Sequence, residues 1–441
     1  MRRVLALAAL AASAVAAQPP SAERRAATEA DYKATLARLG IASLRPGADG
    51  YNRAAANAVN YDEAKAGLTS PLPPLLTVAK PTARWWWTVR RPQLVRMIED
   101  EMVGRVPATA PTIVWRLDST AHALKDGIPV LARHYRGGAA GTKLAIDLWL
   151  TVPEGAPGPV AVILELGFPE GFRFPGFPPQ PAPADPWTAQ ILRRGWGYAI
   201  LDPRTVQPDD GAGLADGVIG AAAGGKPRGP HEWGALRAWA WGAGRALDLL
   251  ARDPRIDRSR VAVEGLSRYG KAALVTMAFE PGFSMGFIGS SGAGGAKLLR
   301  RDFGERIGNL AASGEYHWFA PAFLLHAGPR TVDDLPFDAH SLIALAAPRP
   351  LFFGAGRFDA DGWVDPRGSF EAARAATPAW RLLGAPGLVG EAYPAINEGR
   401  TEGRIAFRQQ DGGHSNARNW PAFLAFAARQ WRLSAAASPR R

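Results

Sequence analysis

The 441-residue chain contains no cysteine. This absence excludes a disulfide framework, a cysteine nucleophile, a thiolate zinc site and an iron–sulfur cluster. No stretch reaches the ~20 consecutive apolar residues that a membrane-spanning helix requires. The chain is 47% hydrophobic and 21% charged, which is the balance of an ordinary globular protein. Any chemistry must therefore come from serine, histidine, carboxylates, lysine or arginine.

The formal net charge of +12 raises the question of a polyanionic partner. A nucleic-acid interface needs a run or a stripe of basic residues. The basic residues of this chain are scattered, and pairs such as Arg193-Arg194 and Arg300-Arg301 do not extend into a run. We therefore expect no nucleic-acid partner.

The first residues have the features of a secretory signal peptide. Arg2 and Arg3 give a positive start, residues 4–15 are apolar, and Ala16-Ala17 supplies small residues of the kind that a signal peptidase reads. We expect cleavage after Ala17 and export to the periplasm or the medium, with no membrane anchor.

The rest of the chain divides by pattern into an arm, one catalytic domain and a tail. Residues 18–83 are rich in alanine and loosely patterned, so they are predicted to form an N-terminal arm or linker, with an extended connection at Pro71, Pro73 and Pro74. Residues 84–432 are assigned to the catalytic domain, and residues 433–441 form a basic tail. Nothing in the pattern indicates an obligate partner chain, so we expect a monomer.

Within the catalytic domain, alternating strands give way to nearly continuous apolar strands that are each followed by a helix. That second pattern is typical of a parallel sheet covered on both faces. The predicted strands are 112–117, 130–135 and 143–151, which pair antiparallel, then 159–166, 197–201, 260–264, 285–290, 350–354 and 404–407. The predicted helices are 91–104, 187–194, 232–251, 271–279 and 420–431. The fold class is therefore α/β, with a mostly parallel central sheet, antiparallel N-terminal strands and helices on both faces.

Ser267 lies at a sharp turn between a predicted strand and a predicted helix. Small neighbours at such a turn let the backbone expose a serine hydroxyl, as in the nucleophile elbow of the α/β-hydrolase three-layer sandwich. In the usual elbow a glycine follows two residues after the serine, whereas here Gly270 comes third. The alternative is a structural or phosphate-binding turn, but the glycine-rich run and the Lys-Ser/Thr ending of a nucleotide loop are missing.

A serine nucleophile needs an imidazole to take its proton. In α/β-hydrolases the base follows the serine and the acid in the chain, which leaves His317, His326, His340 and His414. His414 is preferred because it lies in a glycine-rich loop after the last predicted strand and before the last predicted helix. His326 and His340 are interpreted as structural or surface residues, and His317 as a residue that can line a pocket.

The acid is expected after the predicted strand 350–354, where a carboxylate can orient the imidazole and stabilise its protonated form. Asp359, Asp361 and Asp365 are all within reach of this position. Spacing alone does not choose among them, and two of the three must be loop carboxylates or turn residues.

The sequence resembles the glucuronoyl esterases of carbohydrate esterase family 15, whose nucleophile motif is Ser-Arg-any-Gly-Lys. The matching segment is Gly265-Leu266-Ser267-Arg268-Tyr269-Gly270-Lys271. Further blocks of likeness, within about residues 85–430, are Arg90-Arg91-Pro92, Gly104-Arg105-Val106-Pro107, Ser291-Gly292-Ala293-Gly294-Gly295, Arg300-Arg301-Asp302-Phe303-Gly304-Glu305, Glu315-Tyr316-His317-Trp318-Phe319, Asp361-Gly362-Trp363-Val364-Asp365-Pro366-Arg367-Gly368 and His414.

The resemblance implies a role for each matching residue. It makes Ser267 the nucleophile and His414 the general base, with Arg268 helping to stabilise the oxyanion. It also implies that a second set of side chains binds the uronic acid ring, namely Lys271, Glu305, Glu315 and Trp363. The plain alternatives are that Lys271 is a solvated helix cation and that Trp363 serves packing.

One position departs from the family pattern. In many members the acid is a glutamate immediately before the Ser-Gly-Ala-Gly-Gly segment, and this sequence has Ser290 there. A hydroxyl cannot supply the negative charge that an imidazolium needs, so the role must move or be lost. Some bacterial members resemble this chain in having an acid at the position of Asp361. We therefore expect Asp361 to be the acid, with Asp359 as the second choice.

The resemblance implies a serine esterase that hydrolyses the ester between glucuronic acid of glucuronoxylan, with or without its 4-O-methyl group, and an alcohol of lignin. An esterase for acetylated sugars or other small esters remains the alternative enzyme, because the fold does not fix the substrate. A catalytically silent uronate-binding relative is the alternative outside enzymes, suggested by Ser290. Serine–histidine chemistry needs no ion, and no pair of residues has ligand spacing on a helix, so neither metal nor cofactor is expected.

Overall fold

The computed structural model describes residues 21–172 and 185–437. Its centre is a ten-stranded mixed sheet. The strands are Val114–Lys125 (β1), Ile128–Gly138 (β2), Ile146–Pro153 (β3), Val160–Leu166 (β4), Gly197–Leu201 (β5), Ile256–Leu266 (β6), Met285–Gly289 (β7), Leu351–Ala355 (β8), Gly399–Arg400 (β9) and Ile405–Gln409 (β10). Their order across the sheet is β1-β2-β3-β5-β4-β6-β7-β8-β10-β9. The predicted signal peptide and the end of the basic tail lie outside the described residues.

Helices of several lengths connect and flank the strands. In chain order the α-helices are Ala22–Arg38 (α1), Ala83–Trp85 (α2), Arg91–Ile98 (α3), Trp187–Leu192 (α4), Pro203–Val206 (α5), Val218–Ala223 (α6), Ala235–Leu250 (α7), Arg268–Phe279 (α8), Ile307–Leu310 (α9), Ala339–Ala344 (α10), Phe358–Asp361 (α11), Pro366–Leu382 (α12) and Trp420–Ala437 (α13). Wider π turns, Trp86–Arg90 and Glu99–Val103, flank α3. Short 3-10 helices are Glu63–Lys65, Ala212–Ala215, Tyr316–Trp318, Pro321–Ala327, Val332–Asp334 and Gly362–Val364.

The sheet has both directions of pairing, as the sequence predicted. Strands β1, β2, β3 and β5 pair antiparallel in succession, and β5, β4, β6, β7, β8 and β10 pair parallel. A parallel arrangement brings the carboxyl ends of β4, β6, β7, β8 and β10 to one edge of the sheet. In open α/β sheets that edge is where functional side chains gather.

Each face of the sheet packs against its own layer of helices. Val162 and Leu164 of β4 face one apolar core with side chains of α7, α8, α10 and α12, whereas Ala161 and Ile163 face a second core with α4 and α13. Alternate side chains of a strand point to opposite faces, which explains the division. The three-layer arrangement predicted from the sequence is thus confirmed.

Two long helices were not predicted. The chain from 22 to 38, assigned to the N-terminal arm without a predicted helix, forms α1. This helix is mostly polar, so no apolar stripe in the sequence indicates it. Helix α12 was missed because it contains two prolines, a residue that usually interrupts helices. Pro366 occupies its first turn, and Pro378 lies inside it. Proline is well tolerated in the first turn, which explains how α12 begins.

The segment predicted to be an N-terminal arm packs on later parts of the chain rather than standing apart from them. In α1 the Arg24 guanidinium donates to Asp210 at 2.8 Å, and the Tyr32 hydroxyl donates to the Ala311 carbonyl at 2.9 Å. Farther along, the Asn60 side chain donates to the Asp302 carbonyl at 2.7 Å. No described helix is both long and apolar enough to cross a membrane.

Candidate active site

Ser267 occupies a strained turn between β6 and α8. Its torsions, φ +62° and ψ −127°, lie where residues other than glycine are rare, and such a conformation costs about 1–3 kcal/mol unless the surroundings hold it. They do hold it, because the Ser267 N–H donates to the Gly289 carbonyl at 2.9 Å and the Lys271 N–H donates to the Ser267 carbonyl at 3.0 Å. The serine is therefore fixed at the carboxyl end of β6.

Two glycines make this turn possible. A Cβ at Gly265 would lie 2.2 Å from the Tyr269 carbonyl oxygen, and one at Gly270 would lie 2.5 Å from the Gly289 carbonyl oxygen. Both separations are shorter than any real contact, so both positions require glycine. Two residues after the serine, where the usual elbow has glycine, this chain has Tyr269. The ring of Tyr269 is buried, and its centre lies 5.3 Å from the centre of the Trp239 ring. Gly270, the glycine that comes third after the serine, is thus required because α8 lies very close to β7 at this point.

His414 lies on the loop between β10 and α13, and Gln410 gives this loop its shape. The buried Gln410 amide donates to the carbonyls of Gly413 at 2.8 Å and Ser415 at 3.1 Å. The His414 side chain remains 42% exposed. The buried Gln410 side chain therefore holds the loop backbone in place, while the His414 imidazole stays partly exposed to solvent.

Asn416 fastens this loop to the strand that carries Ser267. Its side-chain amide donates to Glu264 and lies 3.5 Å from the Gly265 carbonyl oxygen. A Cβ at Gly289 would lie 2.0 Å from the Asn416 side-chain oxygen, so the amide passes directly over β7. These contacts bring the loop of His414 to the strand ends on which Ser267 is held.

Asp361 is the carboxylate that the structure brings to His414. The distance between His414 Nδ1 and Asp361 Oδ1 is 2.7 Å. The other oxygen, Oδ2, accepts hydrogen bonds from the Ser290 hydroxyl at 2.6 Å and the Gly356 N–H at 2.7 Å. A carboxylate in this position keeps the proton on Nδ1 and leaves Nε2 able to accept another.

The two other candidate acids are engaged elsewhere. Asp359 is exposed and pairs with Arg357. Asp365 caps α12 by accepting from the Gly368 N–H at 2.8 Å, and it also binds Arg301. Within the described residues, Asp361 is thus the one of the three that contacts His414.

The three other downstream histidines are buried and hydrogen-bonded away from this pair. His317 Nε2 lies 3.0 Å from Asp209, and His326 Nε2 lies 3.0 Å from Glu101. His340 Nε2 lies 3.0 Å from the carbonyl of Pro73 in the arm. Their contacts are those of structural residues, although His317 borders the site through Asp209.

Arg268 is held beside Ser267 by an acid that sequence reasoning missed. The Arg268 guanidinium donates to Asp209 at 2.7 Å and lies 5.2 Å from the centre of the Trp318 ring. Burial opposes ionisation of Asp209, but hydrogen bonds from His317 and Trp318 and the charge of Arg268 outweigh it and hold its pKa well below the usual range. Asp209 therefore remains charged and fixes the direction of the guanidinium.

Lys271 and Glu305 form a buried ion pair one helical turn beyond the serine. The Lys271 ammonium donates to Glu305 at 3.0 Å and to the Ser291 carbonyl at 2.8 Å. The same Glu305 oxygen accepts from the Ala293 N–H at 2.8 Å. Lys271 is therefore not a solvated cation, and its charge is aimed at the segment that follows β7.

Glu315 and Trp363 lie on the same side of the site. Burial and the charge of Glu305 raise the pKa of Glu315 to about 7, against the opposing charges of Lys271 and Arg268. The Trp363 carbonyl accepts from the Glu305 N–H at 2.8 Å. The side chains of Lys271, Glu305 and Glu315, which the resemblance assigned to sugar binding, are thus linked by contact or by charge, and Trp363 is joined to them through its backbone.

Beneath the turn lies a pair of carboxyl groups that no motif indicated. Glu165 of β4 and Glu264 of β6 are register partners on adjacent parallel strands. Burial raises the pKa of Glu264 to about 8, and burial with the charges of Glu264 and Glu170 raises the pKa of Glu165 well above its usual value. The pair therefore retains a proton at neutral pH.

This pair predicts a pH dependence of stability. Between about pH 4.5 and pH 8 the folded chain keeps a Glu264 proton that the unfolded chain releases, so the free energy of unfolding falls as the pH rises. We expect the melting temperature to decrease from about pH 6 to about pH 9, and Glu264→Gln, which cannot ionise, to flatten this decrease. Calorimetry of both proteins across this range checks the prediction.

A matched control is Glu371→Gln, because Glu371 lies near the surface and pairs with Arg374. This substitution should leave the pH slope of the wild-type protein unchanged. Equal slopes for the wild-type and Glu264→Gln proteins would show that the titration of Glu264 does not cause the decrease, contrary to the expectation.

The missed residues differ in how visible they are in the sequence. Asn416 lies in the same glycine-rich loop as His414, so that loop was a usable signal. Asp209 lies in an irregular segment far from Arg268 in the chain and carries no motif. In the described part of the chain, no group of three or more histidines and carboxylates is arranged to hold a metal ion.

A comparison with protein-family models matches the middle of this chain. A family model described as "Glucuronyl esterase, fungi" matches residues 228–384. This range includes Ser267, Arg268, Lys271, Glu305 and Asp361 but ends before His414.

Individual relatives extend the likeness to most of the chain. The structure of a CE15 glucuronoyl esterase from Teredinibacter turnerae T7901 is 43% identical, with a TM-score of 0.84, over 92% of this chain and 100% of that one. Carbohydrate esterase MZ0003, from an unknown prokaryotic organism, is 30% identical over 83% of this chain and 91% of its own length. A 4-O-methyl-glucuronoyl methylesterase from Hypocrea jecorina is 39% identical, but over 36% of this chain and 35% of its own.

Proposed function

The chain belongs to the glucuronoyl esterases of carbohydrate esterase family 15, and from this membership we propose that Ser267, His414 and Asp361 are its catalytic triad. It is a hydrolase of carboxylic esters, and its substrate class is the ester of glucuronic acid. The contact between Asp361 and His414 at 2.7 Å, on a loop fastened to the strand of Ser267, is the observation that carries the proposal.

The first half of the reaction forms an acyl-enzyme. His414 Nε2 takes the Ser267 proton while the serine oxygen attacks the C6 carbonyl carbon of the uronate ester. The negative charge that develops on the carbonyl oxygen faces Arg268 and the N–H groups at the start of α8. His414 then gives its proton to the alcohol oxygen, the ester bond breaks, and the alcohol leaves.

The second half releases the acid. His414 takes a proton from water, the hydroxide oxygen attacks the glucuronoyl carbonyl, and the Ser267 oxygen leaves with the proton that His414 returns. Asp361 stabilises the imidazolium in both halves without itself taking the proton. Burial of this carboxylate, with Ser290 and Gly356 as donors, keeps it aligned.

We assign the uronate ring to the side of the site that carries Lys271, Glu305, Glu315 and Trp363. A charged pair in a buried setting recognises ring hydroxyls by directed hydrogen bonds. On this assignment the natural substrate is glucuronoxylan esterified to lignin, a chemistry that requires export, as the N-terminal residues predict. We include the 4-O-methylated uronate in this substrate class because relatives of the chain are named 4-O-methyl-glucuronoyl methylesterases.

A comparison of two esters tests the proposed function. The enzyme should hydrolyse a benzyl ester of glucuronic acid with a kcat/KM at least about tenfold above that for an acetylated sugar. The expectation follows because in a uronate ester the reacting carbonyl is attached to the ring that Lys271 and Glu305 bind, whereas in an acetylated sugar the ring belongs to the leaving alcohol. Preference for the acetyl ester would instead support the alternative esterase, and uronate binding without turnover would support the silent relative.

A further inference from the structure

Asp209 connects the arginine beside the nucleophile to the segment that follows Glu315. Its Oδ2 accepts from the Arg268 guanidinium at 2.7 Å. Its Oδ1 accepts from the Trp318 indole N–H at 2.6 Å and lies 3.0 Å from His317 Nε2. Both carboxylate oxygens are thus engaged, and the Asp209 side chain is 14% exposed. A carboxylate held in this way is a fixed point against which a longer side chain can be aligned.

The backbone around Asp209 is also held in place. The neighbouring Asp210 carboxylate accepts from the Arg24 guanidinium of α1 at 2.8 Å. The Ala212 N–H donates to the Thr28 hydroxyl of the same helix at 3.1 Å. Helix α1 therefore fixes the irregular segment from which Asp209 reaches the site.

Arg268 needs a fixed partner because a second carboxyl group attracts it. Its side chain is 47% exposed, and an arginine side chain has many rotamers open to it. Glu315, on the uronate side, attracts the same guanidinium, although less strongly than Asp209 does. Among the described residues, Asp209 is the hydrogen-bond partner of the guanidinium. Other N–H groups of Arg268 are therefore available to the carbonyl oxygen of the ester.

We propose that Asp209 is a positioning residue for the hydrolysis. It keeps the Arg268 guanidinium beside the nucleophile and away from Glu315. Trp318 supports this arrangement, since its ring centre lies 5.2 Å from the guanidinium carbon while its N–H donates to Asp209. The oxyanion exists only after the carbonyl is attacked, so alignment of Arg268 lowers the activation barrier rather than binding the ester. The inference rests on the proposed function and adds a residue that acts on the reaction through Arg268.

A double-mutant cycle with Arg268 tests the proposal. Asp209→Asn removes the charge that holds the guanidinium, so kcat for benzyl glucuronate should fall about 10- to 100-fold, somewhat less than on outright loss of an oxyanion donor. In an Arg268→Ala background the same substitution should change kcat by less than about twofold, because the side chain that it acts on is gone. The Ki of glucuronamide, a neutral amide of the same acid, should stay within about twofold of the wild-type value, since the amide resembles the ester before attack.

Trp318→Phe weakens the same arrangement without touching the Asp209 charge. It keeps the ring and removes one hydrogen bond to Asp209, so kcat should fall about fivefold, and again only when Arg268 is present. The matched control is Asp257→Asn, because Asp257 is also paired with an arginine but lies at the opposite end of β6 from Ser267. This control should leave kcat and the Ki of glucuronamide unchanged.

Three results would overturn the proposal. Equal losses of kcat in the two backgrounds would mean that Asp209 only supports the fold. An unchanged kcat in Asp209→Asn would mean that Arg268 is aligned without it. A weaker Ki for glucuronamide with an unchanged kcat would assign Asp209 to substrate binding. Failure of the wild-type enzyme on benzyl glucuronate would instead defeat the proposed function itself.

Discussion

Replacing Ser267 with alanine should lower kcat by about 10,000-fold or more on any glucuronate ester. The reason is that the acyl-enzyme cannot form without the serine oxygen, while the remaining groups give only residual stabilisation of the oxyanion. Uronate binding should persist, because Lys271 and Glu305 bind each other and the backbone rather than the serine side chain. Steady-state kinetics and calorimetric titration with glucuronic acid measure the two effects.

The strained turn supplies a control for this result. Ser267→Ala must adopt the same positive φ as the wild-type residue, so its folding cost is not new. Its melting temperature should therefore match that of the wild-type enzyme. If this variant retained substantial turnover at an unchanged melting temperature, another group would have to be the nucleophile.

Replacing Asp361 with asparagine should lower kcat/KM by about 1,000- to 10,000-fold. The amide removes the charge that stabilises imidazolium, and it can donate to His414 Nδ1 and so favour the unreactive tautomer. The asparagine side-chain oxygen can still accept the hydrogen bonds from Ser290 and Gly356, and the amide has the shape of the carboxylate, so a large structural change is not expected. The measurement is the kcat/KM for benzyl glucuronate across the pH range of activity.

Ser290→Ala is the matched comparison for Asp361→Asn. It removes one hydrogen bond to Asp361 Oδ2 and leaves the one from Gly356 in place, so the loss should be about tenfold. The comparison therefore tests whether the loss of kcat/KM is smaller in Ser290→Ala than in Asp361→Asn. A larger loss in Ser290→Ala than in Asp361→Asn would mean that Ser290 has a role of its own and that Asp361 is not the acid.

The sequence predicted the parallel part of the sheet better than the helices around it. Strands such as Val160–Leu166 and Leu351–Ala355 are almost entirely apolar because both faces of the sheet are covered, and their short length is typical of buried strands. Helix α1 carries no comparable signal, because its surface is mostly polar and it is held by contacts to distant segments. Local pattern cannot report such contacts.

The same distinction applies to the candidate site. The glycines around Ser267 were visible in the sequence, and Gly265 and Gly270 are there because the backbone leaves no room for a side chain at either position. Local sequence could not choose among Asp359, Asp361 and Asp365. The choice depends on which of these carboxylates the loop of His414, more than forty residues later in the chain, approaches. The resemblance to a family favoured Asp361, and the structure brings that residue to His414.

Labelling with a fluorophosphonate, followed by peptide mass spectrometry, tests the central claim most directly. Such a reagent phosphonylates a serine that a neighbouring imidazole has activated. We predict one adduct, on the peptide that contains Ser267, formed rapidly in the wild-type enzyme and slowly in Asp361→Asn. An adduct on a different serine, or undiminished hydrolysis of benzyl glucuronate by a protein fully labelled at Ser267, would contradict the account.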